Sequence, residues 1–301
     1  MTMTFTPEPG IYPGIPAEEY FSWPAVSNSD LTFAARSMAH YRYAPPLVQT
    51  PAMRFGSIVH AGFLEPETFE RRYCAMPAFE DTIRKPDGSE YANPKATNAY
   101  KAEVEAWRDA HPDVEVVTSD EMRDAKALIA SLEAHTCACA YLRGDGPAEV
   151  SLVWDDPGTG IRCKARVDKI NESACLLADL KTTVDAADFE RSLAKYRYHR
   201  QAAFYREGYM ALTGTVWPFA IVAVEKDVPY GVRAALVAEE AIDVGQREYQ
   251  RLLEQIAECR RTGVWPGYED PPAWTLPGWY VASAGCDDEP QLTFNGEPIT
   301  C

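Results

Sequence analysis

The sequence has little that would suit it to a membrane. No apolar run approaches the roughly 20 residues that a transmembrane helix needs. The first residues, MTMTFTPEPGIYPGIP, are polar and proline-rich, and they lack the basic start and apolar core of a secretory signal peptide. These absences predict a cytoplasmic protein with no membrane partner.

Positive charge is also scarce. Lysine and arginine number 29 against 45 aspartates and glutamates, which gives a formal net charge of −16. Nucleic-acid-binding proteins usually carry net positive charge or a strong basic patch, so this balance counts against that class. Bound divalent cations or a local basic strip can still dominate the field at one site. The most basic segment, residues 190–207, contains Arg191, Lys195, Arg197, Arg200 and Arg206.

The eight cysteines include no Cys-x-x-Cys pair. Zinc and iron–sulfur sites need a second close pair of ligands, and the only tight cluster is His135, Cys137 and Cys139. We therefore expect reduced, partly buried thiols.

Apolar residues recur at helical spacing in the first half of the chain. Residues 80–96 are polar, with proline and glycine, and predict a loop or mobile flap to which we assign no role. Helices are predicted between Ser27 and Pro45, and over 51–66, 97–110 and 119–134.

After residue 146 the pattern alternates as strands do, in AEVSLVWD, IRCKARVDKI and CLLADLKTT. A long amphipathic segment (186–213), two further strands and a closing helix (239–262) follow. This order predicts an α/β (α+β) protein with a mixed central sheet flanked by helices. The predicted organisation is an extended N-terminal arm (1–27), a single domain (28–265; helical over 28–143, sheet core over 147–265) and a proline-rich tail (266–301).

Two charged residues, Asp179 and Lys181, lie inside the apolar run LLADLKTT. Buried charges are costly unless they are paired or bind a metal. Alternation places both side chains on one face, and a hairpin with the preceding strand can bring Asp168 beside Asp179. Glu149 begins the strand before that. Carboxylates this close repel each other, and a divalent cation with oxygen ligands would remove the repulsion.

Two further motifs flank this group. FGSIVH puts Gly56 one helical turn before His60, and YHRQAAFYREG puts Gln201 and Tyr205 on one helix face. Each of the three motifs also has a plainer structural explanation. His60 could be an ordinary core histidine, the helix with Gln201 and Tyr205 an ordinary amphipathic helix, and Asp179-x-Lys181 a surface ion pair.

Taken in order, these motifs resemble the PD-(D/E)xK nuclease core, and most closely that of RecE-like (exodeoxyribonuclease VIII-type) exonucleases, which are related to lambda-exonuclease-like and RecB-like nucleases. SNSDLTFAARSMAHYRYAPP and TGVWPGY also look like signatures of that family, so the resemblance covers most of residues 10–280. It implies a restriction-endonuclease-like core and a metal-dependent 5′→3′ exodeoxyribonuclease that degrades linear duplex DNA. The remaining 3′ single strands would serve recombination by annealing, often in a phage or prophage setting.

The resemblance also implies residue roles. Asp168, Asp179 and Glu149 would act with Lys181, which positions the attacking water. The implied ligands of Mg²⁺ or Mn²⁺ are His60, Asp168, Asp179 and the Leu180 carbonyl, and a histidine ligand suits Mn²⁺ better. The implied DNA contacts are Gln201 and Tyr205, with Arg197 and Arg200 on the same basic segment. From their chemistry alone, Arg54 and Ser57 would bind a terminal phosphate.

The implied partners are double-stranded DNA ends, further copies of the chain in a ring (trimer or tetramer) and a single-strand annealing protein, within a prokaryotic or phage-infected cell. A ring would ease the charge objection, because only its inner surface must be positive. Three alternatives stay open at this point: an inactive nuclease-fold module that binds DNA or protein, a PD-(D/E)xK endonuclease, and an unrelated acidic α/β protein.

Overall fold

The structure, a computed structural model, describes residues 7–46, 48–112, 114–278 and 280, together with the short strand segments 293–294 and 297–298. Two units can be distinguished, residues 1–265 and residues 266–301. The second unit contains a two-stranded antiparallel pair. No described helix is both long enough and apolar enough to span a lipid bilayer.

The elements of the first unit follow in chain order. They are β1 (Gly10–Tyr12), α1 (Ala17–Ser22), α2 (Asn28–Arg36), α3 (Met38–Arg42), α4 (Pro51–Leu64), α5 (Pro66–Arg72), β2 (Tyr73–Ala75), α6 (Asn98–Ala110), β3 (Glu115–Val117), α7 (Ser119–Ala134), α8 (Thr136–Leu142), β4 (Ala148–Asp155), β5 (Arg162–Asn171), β6 (Leu176–Thr183), α9 (Phe189–Lys195), α10 (Tyr198–Thr213), β7 (Phe219–Glu225), β8 (Val232–Leu236) and α11 (Glu239–Thr262).

A six-stranded sheet organises this unit, in the order β1-β4-β5-β6-β7-β8. The pair β6–β7 is parallel and the other neighbours are antiparallel. Helices α2, α10 and α11 contribute to the apolar core on one face, and α4, α7 and α8 contribute to the core on the other. The predicted α/β class, with a mixed central sheet flanked by helices, is confirmed.

Within the segment predicted as an extended arm, Gly10–Tyr12 form β1 and Ala17–Ser22 form the helix α1, which was not predicted. Strand β1 pairs with β4, and Tyr20 and Trp23 are buried against the sheet. The Lys164 ammonium donates to the backbone carbonyls of Tyr20 (2.9 Å) and Trp23 (2.7 Å). These carbonyls lie at the C-terminal end of α1, where a positive charge is stabilising. A three-residue strand is too short to show alternation, so β1 could not be predicted from its residue pattern.

The helix predicted over 51–66 is present as α4, which ends at Leu64 because Pro66 disfavours helical geometry at Glu65 and starts α5. The segment 186–213 divides into α9 and α10 at Arg197, which adopts the left-handed conformation (φ 58°). The short helix α8 was not predicted; His135 begins it by accepting a hydrogen bond from the Ala138 N–H at Nδ1 (3.1 Å).

Helices α10 and α11 cross at very close range. A Cβ at Gly245 would overlap the backbone of His199, so only glycine fits there without a shift of the helices. This contact fixes α10, the helix that carries Gln201, against the rest of the unit.

Arg200 is a structural residue, which corrects its predicted role as a DNA contact. The side chain is 1% exposed. Its guanidinium donates to Asn28 Oδ1 (3.0 Å), Thr32 Oγ1 (2.7 Å) and the Leu31 carbonyl (3.4 Å), so it joins α10 to α2. Burial lowers its pKa to about 10. All of its polar partners are internal, and none of its donors is presented to solvent for a phosphate.

Replacing Arg200 by methionine should therefore lower the free energy of unfolding by about 2–4 kcal/mol, because the buried guanidinium's hydrogen bonds to α2, including the one to the buried Leu31 carbonyl, are lost. Urea unfolding at 25 °C measures this. The matched control is Arg191→Met, which removes an exposed ion pair with Asp188 and should change stability by less than about 0.5 kcal/mol. Equal stability of the two variants would contradict the structural role.

Candidate active site

The candidate site lies where strand β5 parts from strand β6. Their ladder runs from Asn171–Leu176 to Lys169–Ala178, and beyond that point β6 stays paired only with β7. The Leu180 N–H, which would face the missing ladder, donates instead to Asp168 Oδ2 (2.7 Å). Because the N–H and C=O of one strand residue point to the same side, the Leu180 carbonyl faces this opening too.

Asp179 is the most buried acid of the site, with 2% exposure. Gln201 Nε2 donates to its Oδ1 (2.6 Å), and Lys181 Nζ lies 2.7 Å from its Oδ2. That oxygen has no other polar partner among the described residues. The structure therefore brings together Asp179, Lys181 and Gln201, as the sequence predicted. Alternation along β6 puts Asp179 and Lys181 on one face of the sheet, and the start of α10 packs Gln201 against that face.

Glu149 reaches the site from β4 with an unusual backbone conformation, φ 51°, which non-glycine residues rarely adopt. Its Oε2 accepts a hydrogen bond from Arg166 Nε (2.8 Å), and Arg166 also donates to the Ile15 carbonyl (2.8 Å). Sequence reasoning missed Arg166. A signal was available, because Arg166 and Asp168 alternate onto one face of the predicted strand.

His60 completes the group from α4. Its Nδ1 lies 3.5 Å from Asp168 Oδ2 and 3.7 Å from Glu149 Oε1. One ligand atom from each of His60, Glu149 and Asp168 lies within 4.8 Å of the others. Asp179 lies beside this trio, on the same side of the open ladder.

The charges of the site shift its ionisation strongly. Burial alone would lower the pKa of His60, but Asp168 and Glu149 outweigh it and raise the value to about 9. Burial would raise the pKa of Glu149, yet the contact with His60, and Arg166 after it, lower it to about 2. Burial and the charge of Asp179 raise the pKa of Asp168 to about 7. The carboxylates therefore lie close enough to repel one another, and a bound cation would relieve this repulsion.

The donor set fits a hard divalent cation. Carboxylate oxygens are what Mg²⁺ and Mn²⁺ prefer, and one imidazole nitrogen is compatible with Mn²⁺. The pKa of Asp168, raised by burial and by the charge of Asp179, indicates a need for further positive charge here. His60, Glu149 and Asp168 would hold the ion, so Glu149 joins the expected ligands; Asp179 pairs with Lys181, and its ligand role stays a prediction. The predicted ligand role of the Leu180 carbonyl stays a prediction.

Tyr205 and Tyr198 lie at the α10 side of the site. The Tyr205 ring packs edge-on against Phe219 (6.1 Å), and burial, followed by electrostatic interactions with Tyr20, Asp179 and Asp168, raises the pKa of its hydroxyl well above the ordinary value. Its hydroxyl is therefore neutral, and its predicted contact with DNA stays a prediction. Tyr198, which the sequence did not suggest, lies with its ring 4.9 Å from Lys181 Nζ.

Arg54 does not take the role that its chemistry suggested. Its guanidinium donates to Glu115 Oε1 (3.1 Å), Glu121 Oε1 (2.7 Å) and the Val116 carbonyl (2.6 Å), so all three nitrogens are engaged inside the protein. The two carboxylates also neutralise its charge. The prediction of a phosphate contact is therefore wrong for Arg54, while Ser57 donates to Met53 O (3.1 Å) and its role stays a prediction.

The basic segment around α10 is mostly neutralised by acids, since Arg197 pairs with Glu248 (2.9 Å) and Arg206 with Glu239 (2.9 Å). Gly56, one turn before His60, has room for a Cβ, which would make only an ordinary contact, 3.5 Å from Thr182 Oγ1.

Comparison with known proteins gives a family. The model of a family described as "PDDEXK-like domain of unknown function (DUF3799)" matches residues 31–271. The chain belongs to this family. DUF3799 membership agrees with the central mixed sheet and places the chain with PD-(D/E)xK-type proteins; the narrower RecE-like assignment stays a prediction. No curated protein matches the chain.

Solved structures support the fold. A protein described as "Putative exonuclease" from Eubacterium rectale superimposes with a TM-score of 0.52 at 16% identity, covering 86% of this chain and 96% of that one. At that identity the likeness concerns the fold alone. A second structure, of SSO0001, has a TM-score of 0.27 at 14% identity, covers 66% of this chain and 86% of the other, and carries no argument.

The raised pKa of His60 predicts a pH-dependent metal affinity. At pH 7 the metal-free imidazole is protonated, whereas a metal ligand must be neutral, so binding releases a proton. The Kd for Mn²⁺, measured anaerobically by calorimetry, should fall by up to about tenfold per pH unit between pH 7.5 and 8.5.

His60→Gln should flatten this dependence, while His111→Gln, at the end of α6, should leave it unchanged. An equally steep dependence in His60→Gln would show that His60 is not the group that loses the proton.

Proposed function

We propose that this DUF3799 protein is a metal-dependent exodeoxyribonuclease that degrades linear double-stranded DNA from its 5′ ends, with Mg²⁺ or Mn²⁺ as cofactor. The observation that carries the proposal is the meeting of His60, Glu149 and Asp168 beside the Asp179–Lys181 pair. Family membership supports nuclease chemistry, and the printed description of the Eubacterium rectale protein favours an exonuclease.

The ion would be held by His60, Glu149 and Asp168, and when bound it would polarise the scissile phosphate and lower the pKa of a bound water. Other groups of the chain hold two of these ligands, Glu149 and Asp168, in position. Arg166 fixes Glu149 from one side, and the Leu180 N–H fixes Asp168 from the other.

Lys181 would act electrostatically. Burial alone would lower its pKa, but the charges of Asp179 and Asp168 outweigh it and raise the pKa above the ordinary value. An ammonium group with no basic lone pair cannot take a proton from water, so Lys181 serves as a hydrogen-bond donor. It would orient the attacking water and stabilise negative charge that develops on the phosphate. Gln201 donates to Asp179, and Asp179 in turn would keep the Lys181 ammonium oriented for this role.

The 5′→3′ polarity, the ring of three or four copies, the annealing partner and the setting of recombination come from the resemblance to RecE-like exonucleases. They form part of the proposal and are tested with it. An inactive module is disfavoured because the chain keeps the whole set of polar residues from His60 to Tyr205, which a site without turnover would not need. An endonuclease of the same superfamily would use the same residues and differ in its need for a DNA end.

Digestion of labelled duplexes tests reaction and polarity together. Blunt and recessed duplexes labelled at the 5′ or the 3′ end, and a covalently closed circle, are incubated with protein and Mg²⁺ or Mn²⁺. We expect early release of the 5′ label, a shortening ladder with the 3′ label, and intact circles. Early loss of the 3′ label would reverse the polarity, cut circles would indicate an endonuclease, and binding without cleavage would favour the inactive module.

Asp179→Asn and Lys181→Met should each slow the digestion by about a hundredfold or more, because each removes charge next to the reacting phosphate. The matched controls are Asp243→Asn on α11 and Lys101→Met on α6, both exposed and remote from the site, which should digest DNA at the wild-type rate. Circular dichroism confirms that the four variants are folded. Full activity in both site variants would remove this group from the mechanism.

A further inference from the structure

An aromatic platform, defined as Phe189, Tyr196 and Tyr198, lies next to the candidate site and has no part in the function proposed so far. The rings of Phe189 and Tyr198 are stacked (centroids 5.9 Å apart, 13° between planes). Those of Tyr196 and Tyr198 are 5.6 Å apart and tilted by 34°. Because Lys181 Nζ lies 4.9 Å from the Tyr198 ring, the platform is continuous with the site.

The backbone brings these rings together in an unusual way. Residues two apart on one helix point about 200° apart, so Tyr196 and Tyr198 could not meet within a regular helix. The left-handed Arg197 (φ 58°) ends α9 and begins α10, and this break allows the contact. Glycine is the usual residue in such a helix-ending position, so an arginine here accepts some strain.

The outer end of the platform is open to solvent and carries positive charge. Tyr196 is 53% exposed, which is more than packing between α9 and α10 requires. Lys195 Nζ lies 5.3 Å from the Tyr196 ring, and Lys195 is itself exposed. An exposed ring beside a flexible cation matches the chemistry of a single nucleic-acid strand, in which a flat base is followed by a phosphate.

We propose that Tyr196 stacks on an unpaired base of the strand that enters the site, while Lys195 contacts the neighbouring phosphate. This inference rests on the proposed function and names its immediate ligand as a frayed or single-stranded DNA end. A stacked base would hold the separated strand in line with Lys181, through the ring of Tyr198. Stacking on a tyrosine does not depend on base identity, so the contact would add affinity without sequence preference.

Binding of two fluorescein-labelled single strands tests the inference. One is twelve thymidine nucleotides long, and the other is the same sugar–phosphate chain without bases. With Ca²⁺ in place of the catalytic metal, wild-type protein should bind the thymidine strand about tenfold more tightly than the abasic one, as judged by fluorescence anisotropy. Tyr196→Ala should abolish this difference, and Tyr196→Phe should keep it because the ring remains.

Two controls keep the outcomes distinct. The Mn²⁺ affinity of Tyr196→Ala should equal that of wild type, and Lys195→Met should weaken binding of both strands equally. A tenfold preference that survives in Tyr196→Ala would overturn the inference, as would a wild type with no preference for bases. If wild-type protein digests labelled duplexes without that preference, only the inference fails; if it neither binds nor cuts DNA, the proposed function fails with it.

Discussion

Three carboxylates converge where β5 and β6 separate, and their mutual repulsion is the constraint around which the site is arranged. The chain offsets it with one basic group for each acid. The pairs are His60 with Asp168, Arg166 with Glu149, and Lys181 with Asp179. These cations come from a helix and two different strands, so the charges balance only when the sheet and α4 are correctly packed. The raised pKa of Asp168 shows that compensation is incomplete, and a bound cation would complete it.

This local balance also bears on the net charge of −16. An excess of acid over the whole molecule disfavours a polyanionic ligand only where that ligand meets unpaired acid. At the candidate site the acids are buried or half-buried and paired, while the adjacent surface exposes the Tyr196 ring of the platform and the neighbouring Lys195. Long-range repulsion would be screened within about 8–10 Å at physiological salt. The overall charge is therefore a weak guide to what can approach this surface.

Sequence reasoning succeeded where short-range periodicity decides the geometry. Alternation along β6 placed Asp179 and Lys181 together, and the predicted hairpin placed Asp168 close enough to Asp179 for their charges to interact. Helical spacing identified Gln201, which contacts Asp179. It failed where a partner is remote. The sequence does not distinguish an arginine that is exposed to solvent from one whose donors bind oxygen atoms within the protein. Arg54 and Arg200 are both of the second kind. Nothing local reveals which of the two applies.

Backbone breaks were the other blind spot. Arg197 and Glu149 both take left-handed conformations that are rare for their residue types, and no propensity scale anticipates them. Both positions adjoin the site, which is where local rules are most often overridden by function. Strand β1 was also not predictable from local sequence, because its three residues join the sheet by pairing with β4, which is remote in the chain.

The contacts of α1 and β1 with the sheet have a consequence for the order in which the molecule forms. Arg166 reaches the Ile15 carbonyl, and Lys164 reaches that of Tyr20, so residues near the start of the chain hold the strand that carries Asp168. During synthesis those early residues emerge long before their partners and must remain unpaired in the meantime. Gln201 arrives later still. The constellation is therefore incomplete until Gln201 has been made, and a chain interrupted before that residue would lack the group that donates to Asp179.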